Sequence, residues 1–180
     1  MESKAVRIRR ARADEADDLA PRLTELSRRS KAHWGYGREL LDRWLEDLSI
    51  SPEAIGHDAV LVAETGDAPV RVLGFARVTR GARREVPGPA PAQLKDLWVE
   101  PGDIGSGVGR ALFVAACEVA RTLPAERLLI VADPNAEGFY LRMGARRIGE
   151  EASEVVDGRA LPILMLDLHR PGADAPVTSG

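Results

Sequence analysis

Cysteine is almost missing from this sequence: Cys117 is the only one in 180 residues. An internal disulfide needs two, so no disulfide framework is open to the chain. Cys117 lies inside an apolar helical pattern, which predicts a buried structural thiol and not a nucleophile. His33, His57 and His169 are scattered, and no Cys/His spacing suggests zinc, so no metal is expected. No apolar run reaches membrane-spanning length, and "MESKAVRIRR" has no apolar leader region, so a cytoplasmic protein away from membranes is expected. Neither charge sign dominates. Twenty-five Lys and Arg stand against 28 Asp and Glu, a net charge of −3, which argues against nucleic acid as a partner. The densest basic group, "RIRRAR", alternates with Ile8 and Ala11, as the polar face of a half-buried strand would.

What is present is a globular composition, 44% hydrophobic and 29% charged, in a chain long enough for one core. "AVRIRRAR" alternates and predicts a strand over 4–11. Asp14 is the expected N-cap of the next helix, whose apolar stripe is Leu19, Leu23 and Leu26, with Pro21 kinking it or marking its start. "RELLDRWLEDL" predicts a second amphipathic helix after the break "KAHWGYG". "AVLVAET" and "VRVLGFARVT" predict a hairpin, and "RGARREVPGPAP" a surface loop. "QLKDLWVEP" and "RLLIVAD" are further strands, the second apolar enough to be central. "NAEGFYLRMGA" predicts a short helix closed by Gly144, followed by strands at "RRIGEE" and "LPILMLDL". The result is a mixed α/β sheet in one domain over 1–170, with 171–180 expected to be a disordered tail.

The stretch "DIGSGVGRALFVAACEVART" carries the strongest chemical signal. Gly105, Gly107 and Gly109 stand at alternate positions and open a strong helix. Glycine lets a ligand approach the main chain, and a helix N-terminus offers unpaired N–H groups, so the pair predicts a phosphate site. The lysine of a P-loop is missing. A dinucleotide fold needs G-x-G-x-x-G directly after its strand; here the spacing is G-x-G-x-G, and "EPGDI" separates strand from glycines.

"LWVEPGDIGSGVGRAL" resembles the acyl-CoA-binding signature of the GNAT superfamily of N-acetyltransferases. "DPNAEGFYLRMGARRIGE" resembles that family's second signature, about 28 residues further on. The order of elements is similar to that fold from residue 4 to about residue 168. Ile104 departs from the pattern, because the family has Gln or Arg there; Ala145 follows Gly144 where an aromatic is common.

The resemblance implies a mostly antiparallel central sheet with flanking helices, and acetyl-CoA as cosubstrate. The pyrophosphate would lie on the N–H groups of Gly105, Ser106, Gly107, Val108, Gly109 and Arg110, with Ile104 counted in the cofactor site but offering no polar side chain. Pantetheine would run along Leu97, Trp98 and Val99 as an added strand, in a gap splayed between the strands at 93–99 and 127–133. Asn135 belongs to the second signature and is counted with the cofactor site. Tyr140 matches the family's tyrosine, expected to donate to the leaving sulfur as the catalytic residue. An amine must lose its proton before attacking the thioester. Asp96, Glu85, His33 or a water relay could take that proton, with Asp96 read mainly as a solvated strand residue. A main-chain N–H near Val99 would face the developing oxyanion.

His33, Trp34 and Tyr36 in "SKAHWGYG" are the substrate-binding candidates. The stretch resembles a segment of a bacterial subgroup of the family with no assigned substrate. The expected activity is acetyl transfer to a primary amine of a small molecule, amino acid or peptide by direct attack. A non-catalytic acyl-CoA sensor is the alternative, and a dinucleotide-dependent oxidoreductase a distant one. Dimers are common in the family, and an exposed C-terminal strand could pair across a two-fold to give a homodimer.

Overall fold

The computed structural model describes residues 6–66, 68–81 and 88–168. Glu85, His169 and the tail at 171–180 lie outside the described residues.

Strand β1 (Val6–Arg10) leads into helix α1 (Ala16–Ala32) through a 3-10 turn at Ala13–Glu15. The expected N-cap is displaced. Glu15 stands at the N-cap of α1, Arg12 caps the 3-10 turn with its N–H donating to Glu15 Oε1 at 2.9 Å, and the Asp14 carboxylate pairs with the Arg12 side chain. α1 runs unbroken through Pro21, near enough to its start to displace little of the hydrogen-bond ladder.

The single helix expected after "KAHWGYG" is two short ones, α2 (Arg38–Arg43) and α3 (Leu45–Leu48), parted at Trp44. A further helix, α4 (Pro52–His57), is absent from the sequence reading above. Its signal was local: Ser51 Oγ accepts from the Ala54 N–H at 3.2 Å, and Pro52 holds the first helical position.

β2 (Ala59–Thr65), β3 (Val72–Arg80) and β4 (Ala92–Val99) follow, then α5 (Val108–Thr122), β5 (Arg127–Val131), α6 (Glu137–Arg142), β6 (Arg146–Ala152) and β7 (Ala160–Asp167). The seven strands form one sheet in the order β1-β2-β3-β4-β5-β7-β6. Every pairing is antiparallel except β4 with β5. The expected mixed α/β fold is therefore present. The expected free edge on the C-terminal strand is not, because β7 is hydrogen-bonded on both sides and β6 forms that edge.

Each face of the sheet carries its own core. α5 packs Leu112, Phe113 and Ala116 on one face, and α1 packs Leu19, Leu23 and Leu26 with Phe75 on the other. Cys117 is buried in the α5 core, and that burial pushes its thiol up to about 11, so it is not a thiolate at neutral pH.

Candidate active site

β4 and β5 stay together only through Ala92–Leu128, Gln93–Leu129 and Leu94–Ile130. The register between β3 and β4 then skips Lys95, because Arg77 lies opposite Asp96 and Val78 opposite Leu94. Such a bulge bends and twists its strand. β4 goes on to Val99 with no strand on its β5 side among the described residues, and a gap opens there.

One mouth of the gap meets the start of α5. A Cβ built on Gly109 would lie 3.6 Å from Val99 Cγ2 and 3.9 Å from the Phe139 ring, so strand, helix and α6 converge at this point. Gly105 and Gly107 have φ of +85° and +96°, the left-handed region that glycine alone adopts easily. A Cβ at either would meet nothing within 4 Å. Gly107 is the N-cap of α5 and no side chain caps the helix. The first N–H groups of a helix have no internal acceptor, so those of Val108, Gly109 and Arg110 remain available to an anion. The nearby carboxylates are already engaged. Arg29 pairs with Glu100, and Arg71 forms two bonds to Asp103, at 2.8 and 3.2 Å. Ile104 is 38% exposed and contributes no polar group.

The other mouth opens into a cavity of about 440 Å³ on the α1 side. Asp133, just past the end of β5, is the hub of its wall. Lys31 Nζ donates to Asp133 Oδ2 at 2.5 Å and Arg159 NH2 donates to the same oxygen at 2.8 Å. The Tyr36 hydroxyl donates to Asp133 at 3.2 Å and accepts from Asn135 Nδ2 at 2.9 Å and Arg159 NH2 at 2.6 Å. Lys31 Nζ lies 4.3 Å from the centre of the Trp44 ring and 5.0 Å from that of Tyr36, and Arg159 sits over the same two rings. Burial holds the Lys31 ammonium below the ordinary lysine range, although Asp133 opposes this. Burial pushes the Asp133 carboxyl up. The bond and charge of Lys31, the Asn135 N–H and Arg159 outweigh it, and the net shift is down.

Across the cavity stands Asp96. It is 9% exposed, not solvated as expected from its strand position, because Arg77 Nε donates to it at 2.6 Å and Trp98 Nε1 at 3.2 Å. Tyr140 is buried at 6% exposure behind the gap, edge-on to Phe139 and tilted against Phe113. Burial raises its phenol well above the ordinary range, and the charges of Asp96 and Asp133 add to the effect. The phenol is therefore neutral through the working pH range. It can donate a hydrogen bond, and it cannot serve as a base.

The structure thus sets Asp96 and Trp98 on the cavity wall with Asp133, and joins Tyr36 and Asn135 to each other and to Asp133 outside the lining, with Tyr140 within electrostatic reach of both carboxylates. It leaves His33 and Trp34 edge to face with each other at 5.6 Å, exposed and outside the cavity wall. Leu97 and Val99 face the α5 core. Ser106 bonds back to the Asp103 carbonyl and closes the turn. Sequence reasoning missed Lys31, Trp44, Asp133 and Arg159. Lys31 and Asp133 adjoin "AHWGY" and "PNAEGFY" and could have been flagged. Arg159 has no local signal, since its partner Tyr36 lies 123 residues away.

Residues 56–144 match the family described as an acetyltransferase (GNAT) domain. Glucosamine 6-phosphate N-acetyltransferase of Trypanosoma brucei brucei is 28% identical over 82 residues, 42% of this chain. The chain spans about half, 52%, of the length of that relative. A GCN5-related N-acetyltransferase of Rhodopseudomonas palustris superposes with a TM-score of 0.66 at 20% identity, covering 93% of this chain and 98% of that one. PaiA N-acetyltransferase of Thermoplasma acidophilum, solved with coenzyme A, gives 0.65 at 17%, covering 91% and 99%.

Proposed function

This chain belongs to the GNAT acetyltransferase family, and from that membership we propose that it is an acetyl-CoA-dependent N-acetyltransferase acting on a primary amine. The parting of β4 from β5 between a glycine-opened helix and an enclosed polar cavity carries the reading. The dinucleotide alternative needs a parallel doubly wound sheet, and here one pairing of strands is parallel.

In this proposal acetyl-CoA supplies an activated acetyl thioester, and CoA leaves as a thiolate that takes up the second proton the amine nitrogen releases and becomes the thiol. The N–H groups at the start of α5 hold its pyrophosphate, and the free side of β4 at Leu97–Val99 holds the pantetheine arm. The amine enters from the cavity. Asp96 holds its ammonium and takes the proton directly or through water. Tyr140 donates a hydrogen bond toward the leaving sulfur.

The loop works through its main chain. Gly107→Val puts a β-branched residue at φ +96°, which strains the cap and tilts the N–H groups away. Acetyl-CoA binding should weaken by about tenfold or more, whereas Ile104→Gln should stay within about threefold of wild type. Isothermal titration gives both values, and the opposite ranking would remove the main-chain account.

Thermal melts with acetyl-CoA, CoA and NADPH test the whole reading. Acetyl-CoA at 100 times its Kd should add about 2.7 kcal/mol, a rise of roughly 5–10 °C for a domain of this size. Stabilisation by NADPH alone would overturn it. Release of free thiol across a panel of amines then separates the enzyme from a sensor, which would bind acetyl-CoA and release none.

A further inference from the structure

The cavity wall carries two poles of opposite charge. At the first, Lys31 and Arg159 share the single carboxylate of Asp133, which leaves one positive charge in surplus. All three side chains are about nine-tenths enclosed, at 10%, 13% and 12% exposure. A surplus charge in such surroundings is costly unless something of opposite sign meets it. The donors for such a partner are present. Arg159 spends NH2 on both Asp133 and Tyr36, while NH1 and Nε have no partner among the described residues. Lys31 spends one of its three N–H bonds on Asp133. The rings of Trp44 and Tyr36 fix both cations from below, so little side-chain freedom remains to be lost on binding.

At the second pole the balance is reversed. Arg77 lies between Asp96, at 2.6 Å on the cavity wall, and Asp58, at 3.6 Å and outside the lining, so the group of three carries one negative charge in surplus and Asp96 is its face toward the cavity. No ion pair joins the two poles among the described residues. Other charged groups line the mouth, with Lys95, Glu46, Asp47 and Glu154 on its exposed parts. Glu151 also lines it. Solvent and salt screen the exposed groups far more than the enclosed poles.

We propose that the acetyl acceptor is a zwitterion whose ammonium lies at Asp96 and whose carboxylate or phosphate lies between Lys31 and Arg159. The inference rests on the reading of this cavity as the acceptor site. It narrows the acceptor from amines at large to amines carrying an anionic group, a carboxylate or phosphate whose flat or threefold oxygen set suits a guanidinium fork. A plain cationic amine satisfies one pole and leaves the other unmet.

Binding measured without turnover tests this directly. Trp44 and Trp98 line the cavity. In a Trp34→Phe background the emission therefore comes from those two residues alone. With CoA present, phenylalanine is titrated against phenethylamine, and phosphoethanolamine against ethanolamine. At least one anion-bearing member should bind about tenfold or more tightly than its counterpart without the anionic group, which carries the ammonium alone. Which pair discriminates identifies carboxylate or phosphate. Arg159→Gln should bring that ratio to within about threefold, with circular dichroism confirming the fold.

Equal or tighter binding of phenethylamine and ethanolamine would overturn the proposal and leave an acetyltransferase for cationic amines. No change in emission with any of the four would overturn it as well. Anion-dependent binding with no thiol release would retain the two-pole site and overturn the catalytic reading instead.

Discussion

Asp133→Asn should destabilise the protein by about 3–5 kcal/mol, the usual cost of removing one partner from a buried ion pair. For a domain of this size that is a fall in Tm of roughly 6–20 °C. The substitution keeps shape and volume, so no cavity enters the account. What it removes is the one carboxylate that Lys31 and Arg159 share among the described residues, both side chains being largely enclosed. Lys31 is already held below the ordinary lysine range by burial, with Asp133 as the main opposing influence. Tyr36 also loses one of the two carboxylate oxygens its hydroxyl lies against, each at 3.2 Å, and keeps only an uncharged amide oxygen as acceptor.

A double-mutant cycle with Arg159→Gln makes the test specific. Once one cation is gone, the second substitution should cost about 0.5–3 kcal/mol less than it does alone. The pH dependence follows the sign of the Asp133 shift. Its folded pKa is lowered, so the native state favours the carboxylate. The stability it contributes is complete above the ordinary carboxylate value of about 3.9, and it is lost as pH falls through the lowered folded value. That acid limb should be shallower in Asp133→Asn. A variant that melts within about 2 °C of wild type would show that the hub is not a buried charge centre.

Tyr140→Phe should lower kcat by about a hundredfold, at the low end of what a positioned proton donor contributes. Its structural cost should be small. The hydroxyl has no hydrogen-bond partner among the described residues, so its removal orphans nothing. The ring keeps its packing against Phe113 and Phe139. The Kd for acetyl-CoA should therefore stay close to wild type while kcat falls. That split marks a group acting on the reaction and not on the fold. An unchanged kcat would make Tyr140 a core aromatic, which its burial equally suits.

The element pattern was legible because it rests on local regularities. The apolar run of "AVLVAET" and the apolar repeat of α5 placed those elements within a residue or two, and Gly144 ends its helix at φ +93° as a C-terminal glycine should. The misses were local as well. α4 carried its cap and proline openly, and the break at Trp44 interrupted a stripe that looked continuous. The C-terminal strand lies inside the sheet because β7 crosses to pair with β5, a long-range choice that no stretch of sequence displays.

The site divides in the same way. The sequence by itself determined the glycine-opened helix, because positive φ and free N–H groups are properties of a few consecutive residues. Its second signature also brought Asn135 and Tyr140 to attention. Only the tertiary structure decided that Lys31 from α1, Asp133 after β5 and Arg159 before β7 would share one enclosed charge centre. It also decided that Asp96 would be buried opposite them, and that His33 and Trp34 would stay outside. The physical reason is burial. A lone Lys, Asp or Arg reads as a solvated surface group until the packing of distant segments excludes water from around it, and the pairing of such charges then becomes a requirement of the fold.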